Sequence, residues 1–323
     1  MAYYLALDIG GTNLKAGLTN DRYEILDKAY TKTLADRRSG REIMAACIEL
    51  CQSLMRRADL TAEQISAIGI GAPGTVDDSK GELRHASNLD LNLCPAREIF
   101  QEQFNCPIHV VNDANAAALA EARMGAGRGV KDSVLITIGT GIGGGLVLNG
   151  SLYSGFNDAA SELGHHVIVV DGRPCTCGRK GCLEQYVSAA ALVRDTEELV
   201  AQEPNSIIAK IAQEDGKVSG RTLFAALREN CQEAEKLSER YFNYLAEGIG
   251  NVVNFLMPEL VIIGGGISHE GERIPRELNR RLPEKTFSLY SRAQTRVVLA
   301  ELGNDAGLIG AAIYAREEAD KVQ

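Results

Sequence analysis

The alternation of apolar and polar positions predicts strands and helices in turn along this chain. A mostly apolar segment at 4–9 is typical of a buried strand, and a second strand is predicted at 14–18, after a glycine turn. Between 40 and 57, apolar side chains recur at helical spacing, which predicts a helix with one apolar face. The chain therefore begins with a strand pair and an amphipathic helix.

A second copy of the opening pattern lies further along the chain. It has a strand at 133–138, a glycine-rich turn at 139–144 and a returning strand at 145–148. Two similar strand–turn–strand units predict two related α/β halves. The same criteria predict further strands at 65–71, 108–111, 167–170, 260–263 and 296–299, and helices at 114–123, 188–203, 219–253 and 306–319.

Length and charge narrow the class of protein. The 323 residues allow about two domains. The formal net charge is −9 and no basic stripe is visible, so nucleic acid is not expected as a partner. No apolar run approaches the roughly 20 residues that span a membrane, so a membrane is not expected as a partner either.

Three cysteines and one histidine have the spacing of a metal site. Cys175, Cys177 and Cys182 lie within eight positions, and His165 lies ten residues before the first of them. Three thiolates and one neutral imidazole can surround Zn²⁺ tetrahedrally, and four protein ligands leave no open position for catalysis. The segment therefore predicts a structural zinc ion.

Two other interpretations of these cysteines fit less well. Core packing does not explain the glycines and the polar Arg179 and Lys180 between them. A disulfide framework does not explain the scattered spacing of the other five cysteines, and the N-terminus leads directly into a strand rather than a signal peptide. We therefore expect a reduced, cytoplasmic protein.

Two glycine turns have the composition of phosphate-binding loops. In the turn at 10–12, glycines let backbone N–H groups approach a triphosphate, Thr12 adds a hydroxyl donor, and the preceding Asp8 can hold Mg²⁺ through water. An ordinary hairpin turn, in which both glycines supply positive φ, is the alternative. The similar turn at 139–144 favours phosphate binding, and the triple glycine at 264–266 can pack against adenine and ribose.

The second glycine turn also matches the dinucleotide-binding fingerprint G-x-G-x-x-G. That fingerprint requires a helix directly after the turn, so that the helix N-terminus faces the pyrophosphate. Here the segment 145–150 alternates and turns like a hairpin, which disfavours a dehydrogenase. The sequence contains no G-x-x-x-x-G-K-[ST] run, which excludes a P-loop NTPase.

Three carboxylates are candidates for substrate chemistry. Glu162 and Glu184 bracket the zinc segment, which indicates a rigid binding site for a ligand rich in hydroxyl groups. Asp113 follows Asn112 at the end of a predicted buried strand and opens a helix, where it can accept the proton of an attacking hydroxyl. The alternative is that Asp113 only caps the helix. The dense polar cluster at 112–115 favours the catalytic role.

Taken together, these motifs resemble the ROK family (repressors, open reading frames, kinases), in particular its bacterial sugar-kinase branch. The resemblance covers nearly the whole chain, and the zinc segment is its most specific part. The motifs that carry it are Asp8-Ile-Gly-Gly-Thr12, Gly71-Ala-Pro-Gly74, Asn88, Asn112-Asp113, the 139–144 turn, Glu162-x-Gly-His165, Cys175-x-Cys-Gly-x-x-Gly-Cys182-x-Glu184, Gly264–Gly266 and Asn304-Asp-Ala-Gly-Leu-Ile-Gly310.

The resemblance implies an actin-like ATPase (ribonuclease H-like) α/β fold with two domains and a cleft between them. We expect a smaller domain of residues 1–113 plus 305–323, and a larger domain of residues 114–304 that carries the zinc motif. The implied activity is ATP- and Mg²⁺-dependent phosphorylation of a hexose, with glucose 6-phosphate as the expected product. The family also implies a homodimer or homotetramer.

Roles for individual residues follow from the same resemblance. Asp113 would be the general base, and His165 would bind zinc through one ring nitrogen and the sugar through the other. The residues that would bind sugar hydroxyls are Gly71, Asn88, Asn112, Asp113, Glu162, His165 and Glu184. The residues that would line the Mg·ATP site are Asp8, Gly10, Gly11, Thr12, Asn13, Thr140, Gly141, Gly143 and Gly265.

Three alternatives stay open at this point. Asn88 is followed by Leu-Asp-Leu-Asn rather than by a stretch containing Trp, so the sugar could be N-acetylmannosamine, N-acetylglucosamine, allose or fructose. A sugar-responsive repressor would carry a helix-turn-helix ahead of the first glycine motif. That motif begins at Asp8, which leaves no room for a helix-turn-helix and disfavours a repressor. A catalytically inactive sugar-binding protein is disfavoured because Asp113 and both glycine turns are present.

Overall fold

Two compact units make up the chain in a computed structural model, which describes residues 2–86, 89–287 and 290–321. The first unit contains Met1–Gly129, Gly145–Ser161 and Glu301–Gln323. The second unit contains Val130–Gly144 and Glu162–Ala300.

Strands and helices alternate through most of the chain. The strands are β1 (Tyr3–Ile9), β2 (Asn13–Asn20), β3 (Ile25–Lys32), β4 (Ile65–Ala72), β5 (Thr75–Asp77), β6 (Glu82–His85), β7 (Ile108–Asn112), β8 (Ser133–Ile138), β9 (Ile142–Leu148), β10 (Ser151–Tyr153), β11 (Leu260–Gly264) and β12 (Arg296–Leu299). The α-helices are α1 (Gly40–Arg57), α2 (Ala96–Gln101), α3 (Asp113–Met124), α4 (Glu184–Val187), α5 (Ala189–Gln202), α6 (Ile207–Glu214), α7 (Thr222–Arg228), α8 (Gln232–Leu256), α9 (Arg273–Arg281) and α10 (Ala306–Lys321). Short 3-10 helices lie at Ala62–Gln64, Leu163–His165, Gly266–Glu270, Leu282–Glu284 and Gly303–Asp305.

The sheet of the first unit has five strands in the order β3-β2-β1-β4-β7. Strand β1 runs antiparallel to β2 and parallel to β4, which in turn runs parallel to β7. In register, Asp8 lies beside Gly71, and Ala72 lies beside Asn112. Because the carboxyl ends of parallel neighbours meet at one edge of a sheet, the turn after β1 and the start of α3 lie at the same edge.

Both faces of this sheet are covered at β1, which explains why β1 is apolar apart from Asp8 near its end. Its residues Leu5 and Leu7 pack into a cluster with Ile43 of α1, whereas Ala6 packs on the other face with Ala311 of α10. Alternate side chains of a strand point to opposite faces, so every second position serves a different core. Each fully buried leucine contributes about 1.5–3 kcal/mol of transfer free energy.

Helix α10 packs by close backbone approach. A Cβ at Gly310 would collide with the carbonyl oxygen of Ala116 in α3, and one at Gly69 of β4 would collide with the carbonyl oxygen of Ala311. Only glycine permits contacts this short. The helix is therefore held tightly between α3 and the sheet.

The second sheet repeats the order of the first, as β10-β9-β8-β11-β12. Strand β8 runs parallel to β11, with Thr137 beside Gly264, and β11 runs parallel to β12. In both sheets a strand, its glycine turn and the returning strand are followed by two parallel strands. The prediction of two related α/β halves is confirmed.

Two predicted elements are wrong. The helix predicted at 219–253 is interrupted: α7 ends at Arg228 and α8 begins at Gln232, with Asn230 at a φ of 57° between them. The strand predicted at 167–170 is reduced to a single bridge between Val167 and Cys182, because this segment bonds to the cysteine loop rather than to a neighbouring strand.

The compact units also divide the chain differently from the predicted domains. Helix α3 belongs to the first unit, where it packs against α10, whereas the predicted boundary at residue 113 places it in the larger domain. The predicted domain boundaries stay a prediction. Across the described residues, no helix combines the length and apolarity that a membrane span requires.

Candidate functional site

The first glycine turn is an exposed loop whose backbone is held by hydrogen bonds from Thr33. Gly11 and Thr12 are exposed, and Gly10 N–H donates to Asn13 O at 3.0 Å. Thr33 donates through its hydroxyl to Gly10 O (2.6 Å) and through its N–H to Thr12 O (3.0 Å). Neither glycine has a positive φ, so left-handed backbone is not the reason for glycine here. Open space around Gly11 leaves room for a ligand to approach the backbone.

Asp8 carries the charge beside this turn. Its Oδ2 accepts from Lys15 Nζ at 2.9 Å, and the side chains are 19% and 37% exposed. A Cβ at Gly307, in the first turn of α10, would lie 3.3 Å from Asp8 Cγ. An anionic and a cationic group therefore lie next to a backbone loop that can take phosphate. On the far side of the turn, Lys32 Nζ donates to Asn13 Oδ1 at 3.0 Å.

Asp113 is the first residue of α3, and Asn112 is its N-cap. Asn112 Oδ1 accepts from the N–H groups of Ala114 (2.9 Å) and Asn115 (3.1 Å). Ala114 N–H also donates to Asp113 Oδ1 at 2.8 Å. The capping role belongs to Asn112, so the alternative in which Asp113 is the cap is wrong. The N-terminus of a helix favours a negative charge at this position.

Two predicted sugar-site residues of the first unit, Gly71 and Asn112, lie on neighbouring strands. Gly71 is buried in β4, where a Cβ would come within 3.1 Å of Leu7 O. The Asn112 side-chain N–H donates to Gly74 O at 2.9 Å, which links β7 to the turn after β4. Asn88 lies outside the described residues.

The predicted zinc ligands come together in the second unit. One ligand atom each from His165, Cys175, Cys177 and Cys182 lies within 4.8 Å of the others. The distance from Cys175 Sγ to His165 Nδ1 is 3.6 Å, and that from Cys177 Sγ to Cys182 Sγ is 3.6 Å. Ligands about 2.3 Å from a central zinc ion lie about 3.8 Å from one another, so this donor set fits a tetrahedral Zn²⁺.

The surroundings of the cluster also suit a bound cation. Burial raises the pKa of the Cys182 thiol to about 12, so a metal ion is needed to hold it as thiolate at neutral pH. The backbone N–H of Arg179 instead lowers the pKa of the exposed Cys177 thiol. Gln185 Nε2 lies 3.7 Å from Cys175 Sγ, and Arg179 donates to His165 O at 3.3 Å. These outer contacts orient the ligands.

The two predicted glutamates are placed differently. Glu162 is exposed just before the 3-10 helix Leu163–His165, and its carbonyl accepts from His165 N–H at 3.0 Å. Glu184 opens α4, and its Oε2 accepts from Ile142 N–H at 3.0 Å. Glu184 therefore contacts the second glycine turn, which the sequence did not indicate because the two residues are 42 positions apart.

The second glycine turn is held on several sides within its unit. Gly139 O accepts from Ala189 N–H at 2.8 Å, and Thr140 at the tip is exposed. Gly265 has a φ of 79°, and a Cβ there would lie 2.5 Å from Ile138 O. Glycine is required at 265 for both reasons. The predicted adenosine wall, residues 264–266, is thus packed directly against the strand that leads into the turn.

A cavity of about 440 Å³ lies beside this wall. Leu192 and Ile267 supply apolar surface, and Lys217, Arg221 and His269 supply polar groups. These polar residues were not predicted from the sequence. The available signal was the glycine- and serine-containing segment 216–221, which carries two cations in a loop.

Comparisons with known proteins match nearly the whole chain. The ROK family model matches residues 4–318. A glucokinase of Halalkalibacterium halodurans is 32% identical over 326 aligned residues, which cover 99% of this chain and 97% of the relative.

Solved structures give the same result. A ROK family glucokinase from Streptomyces griseus, in complex with glucose and AMPPNP, has a TM-score of 0.81 at 32% identity, covering 98% of this chain and 100% of that one. A ROK hexokinase from Thermus thermophilus has a TM-score of 0.82 at 31% identity, covering 99% of each chain. The predicted actin-like ATPase fold is confirmed. This chain belongs to the ROK family.

Proposed function

We propose that this protein transfers the terminal phosphoryl group of ATP to a hexose, converting glucose to glucose 6-phosphate. The main support is full-length similarity to glucokinases, one of which was solved with glucose and AMPPNP. The site supports it independently, since the turn after Asp8 and the start of α3 lie at one edge of one sheet.

Asp113 is the general base in this proposal. Its carboxylate takes the proton of the sugar hydroxyl as that oxygen attacks the terminal phosphorus and ADP leaves. Asp113 is the first residue of α3, and Asn112 is the N-cap before it. The other residues proposed to bind sugar hydroxyls are Gly71, Asn88, Asn112, Glu162, His165 and Glu184.

The nucleotide is proposed to bind to the two glycine turns and the adenosine wall. Backbone N–H groups of the turns stabilise the charge on the phosphates, and the cavity beside Gly265 takes the base. The residues proposed for this site are Asp8, Gly10, Gly11, Thr12, Asn13, Thr140, Gly141, Gly143 and Gly265. Bound Mg²⁺, for which Asp8 is the proposed carboxylate, neutralises the phosphate charge.

A structural Zn²⁺ is proposed at His165, Cys175, Cys177 and Cys182. When bound, it supplies rigidity rather than reactivity, because four protein ligands fill its coordination sphere. His165 presents Nδ1 to the cluster, which leaves Nε2 to donate to a sugar hydroxyl. The family resemblance also supports a cytoplasmic location and a homodimer or homotetramer as proposals.

A sugar panel tests the proposed reaction. With ATP and Mg²⁺, glucose should give glucose 6-phosphate with a kcat/KM about tenfold or more above those of N-acetylmannosamine, N-acetylglucosamine, allose and fructose. The product is identified by chromatography and mass spectrometry. Preference for one of the other sugars would change the assigned substrate, and absence of any phosphorylated hexose would refute the kinase.

A further inference from the structure

Two segments that flank the predicted zinc cluster meet at one residue of the second glycine turn. A Cβ at Gly164, next to His165, would lie 2.6 Å from Ile142 O. Glu184, two residues after Cys182, accepts from Ile142 N–H through Oε2 at 3.0 Å. The peptide groups of Ile142 are therefore contacted on the N–H side by one segment and on the carbonyl side by the other.

Gly141 permits the approach of the glutamate. A Cβ at position 141 would lie 2.5 Å from Glu184 Oε2, which is closer than real atoms come. Gly141 does not have a positive φ, so glycine here supplies room for the glutamate rather than backbone freedom. The turn and the carboxylate are therefore shaped to fit one another.

The backbone that carries Glu184 is itself anchored. The carbonyl of Gln185 accepts from Arg173 (3.1 Å) and from Arg194 (2.6 Å). Both guanidinium groups pair with Asp195, at 2.9 and 3.3 Å, and the side chain of Asp195 is only 7% exposed. A buried carboxylate with two arginines thus fixes the turn from which Glu184 reaches Ile142.

Glu184 does not serve as a helix cap. Helix α4 is a single turn whose N-cap, Leu183, makes no side-chain capping bond. The Glu184 side chain accepts its hydrogen bond from the glycine turn instead. A carboxylate has two oxygens and accepts several hydrogen bonds, so one side chain can hold the turn and also bind a hydroxyl.

We infer that Glu184 is a positioning residue for the second glycine turn, in addition to its proposed contact with the sugar. This inference rests on the proposed function, because it assigns the turn to the nucleotide. A charge-assisted bond to Ile142 N–H restricts the turn before ATP arrives, which lowers the cost of ordering it on binding. One side chain then serves both substrates.

Two substitutions of Glu184 separate the effect of its side-chain length from the effect of its charge. Glu184→Asp keeps the charge but shortens the side chain by one methylene, so it loses Ile142 N–H. Glu184→Gln keeps the reach and an acceptor oxygen. By calorimetry without sugar, we expect AMPPNP to bind about tenfold more weakly to the Asp variant and within about threefold of wild type to the Gln variant. Glu198→Asp, on the exposed face of α5, is the matched control and should change nothing.

Hydrogen exchange supplies a readout that does not depend on activity. In the ligand-free protein, the amide of Ile142 should be protected in wild type and in Glu184→Gln, and should lose protection about tenfold in Glu184→Asp. Equal protection and equal AMPPNP affinity in all variants would overturn the inference. Tighter AMPPNP binding by the Gln variant with an unchanged Asp variant would also overturn it, since that result indicates charge repulsion alone.

Failure of the proposed function gives a different pattern. If wild type phosphorylates no hexose, the kinase proposal fails, while the AMPPNP and exchange measurements still decide the role of Glu184. If wild type binds no AMPPNP, the kinase proposal fails, and unchanged exchange at Ile142 in Glu184→Asp then overturns the positioning role as well.

Discussion

At the residue scale, Asn112 and Asp113 have different positions at the start of α3. Asn112 accepts two of the unpaired N–H groups at the start of α3. A helix must satisfy these groups, and Asp113 Oδ1 also accepts from Ala114 N–H. The N-cap position therefore belongs to Asn112, and Asp113 adds one bond of its own to the first turn.

The position of Asn112 as N-cap predicts the effect of removing its side chain. Asn112→Ala should destabilise the protein by about 1 kcal/mol, because Asn115 N–H loses its acceptor and Ala114 N–H is left with Asp113 Oδ1. Asn112→Ser, which keeps an acceptor oxygen, should recover most of that loss. Denaturant unfolding of the two variants measures the difference. An alanine variant as stable as wild type would show that the cap contributes little.

Single residues also show how far the sequence could predict the site. The four cluster residues lie within 18 positions and were identified from spacing and ligand chemistry. The bond from Ile142 to Glu184 joins residues far apart in sequence, and no local pattern marks it. No local pattern marks Lys217 and Arg221 either, because the cavity that they line exists only once α5 and the 264–266 turn are packed.

At the scale of elements, prediction succeeded where a segment buries one face along its whole length. Helix α1 begins and ends at the predicted residues, since a capping box at Ser39 and Glu42 starts it and its apolar face is continuous. The break between α7 and α8 was missed because Cys231 and Ala234 continue the apolar spacing across it. The positive φ of Asn230 is a local backbone feature that the spacing of apolar residues does not predict.

The cysteine segment is held by scattered backbone bonds rather than by a regular strand ladder. Isolated bridges join Val167 to Cys182 and Pro174 to Lys180, and Gly181 has a φ of 78° between them. Because the segment has no regular strand ladder, its rigidity would depend on the proposed zinc ion.

Loss of one ligand should therefore affect composition, stability and binding together. We expect Cys177→Ser to lose zinc, to unfold at a lower temperature and to bind glucose at least tenfold more weakly. Elemental analysis, thermal unfolding and calorimetry measure the three effects. Cys106→Ser, which lies outside the cluster, should keep its zinc. Unchanged zinc content in Cys177→Ser would refute the proposed ligand set.

At the scale of the whole molecule, one arrangement occurs twice. Each five-stranded sheet contains a strand that ends in a glycine turn, a returning strand and two parallel neighbours. In the first unit, Asp113 lies at the sheet edge that carries the first glycine turn. In the second unit, Glu184 joins the cysteine segment to the second glycine turn. The repeat could be predicted from sequence because both turns have the same composition and flanking strands.

The central claim is that Asp113 removes the proton from the attacking sugar hydroxyl. The most direct measurement is kcat of Asp113→Asn with glucose and ATP, together with its affinity for glucose. The substitution keeps size and shape, so glucose affinity should stay within about threefold of wild type while kcat falls by about 10²–10⁴. A variant that turns over at close to the wild-type rate would contradict the account.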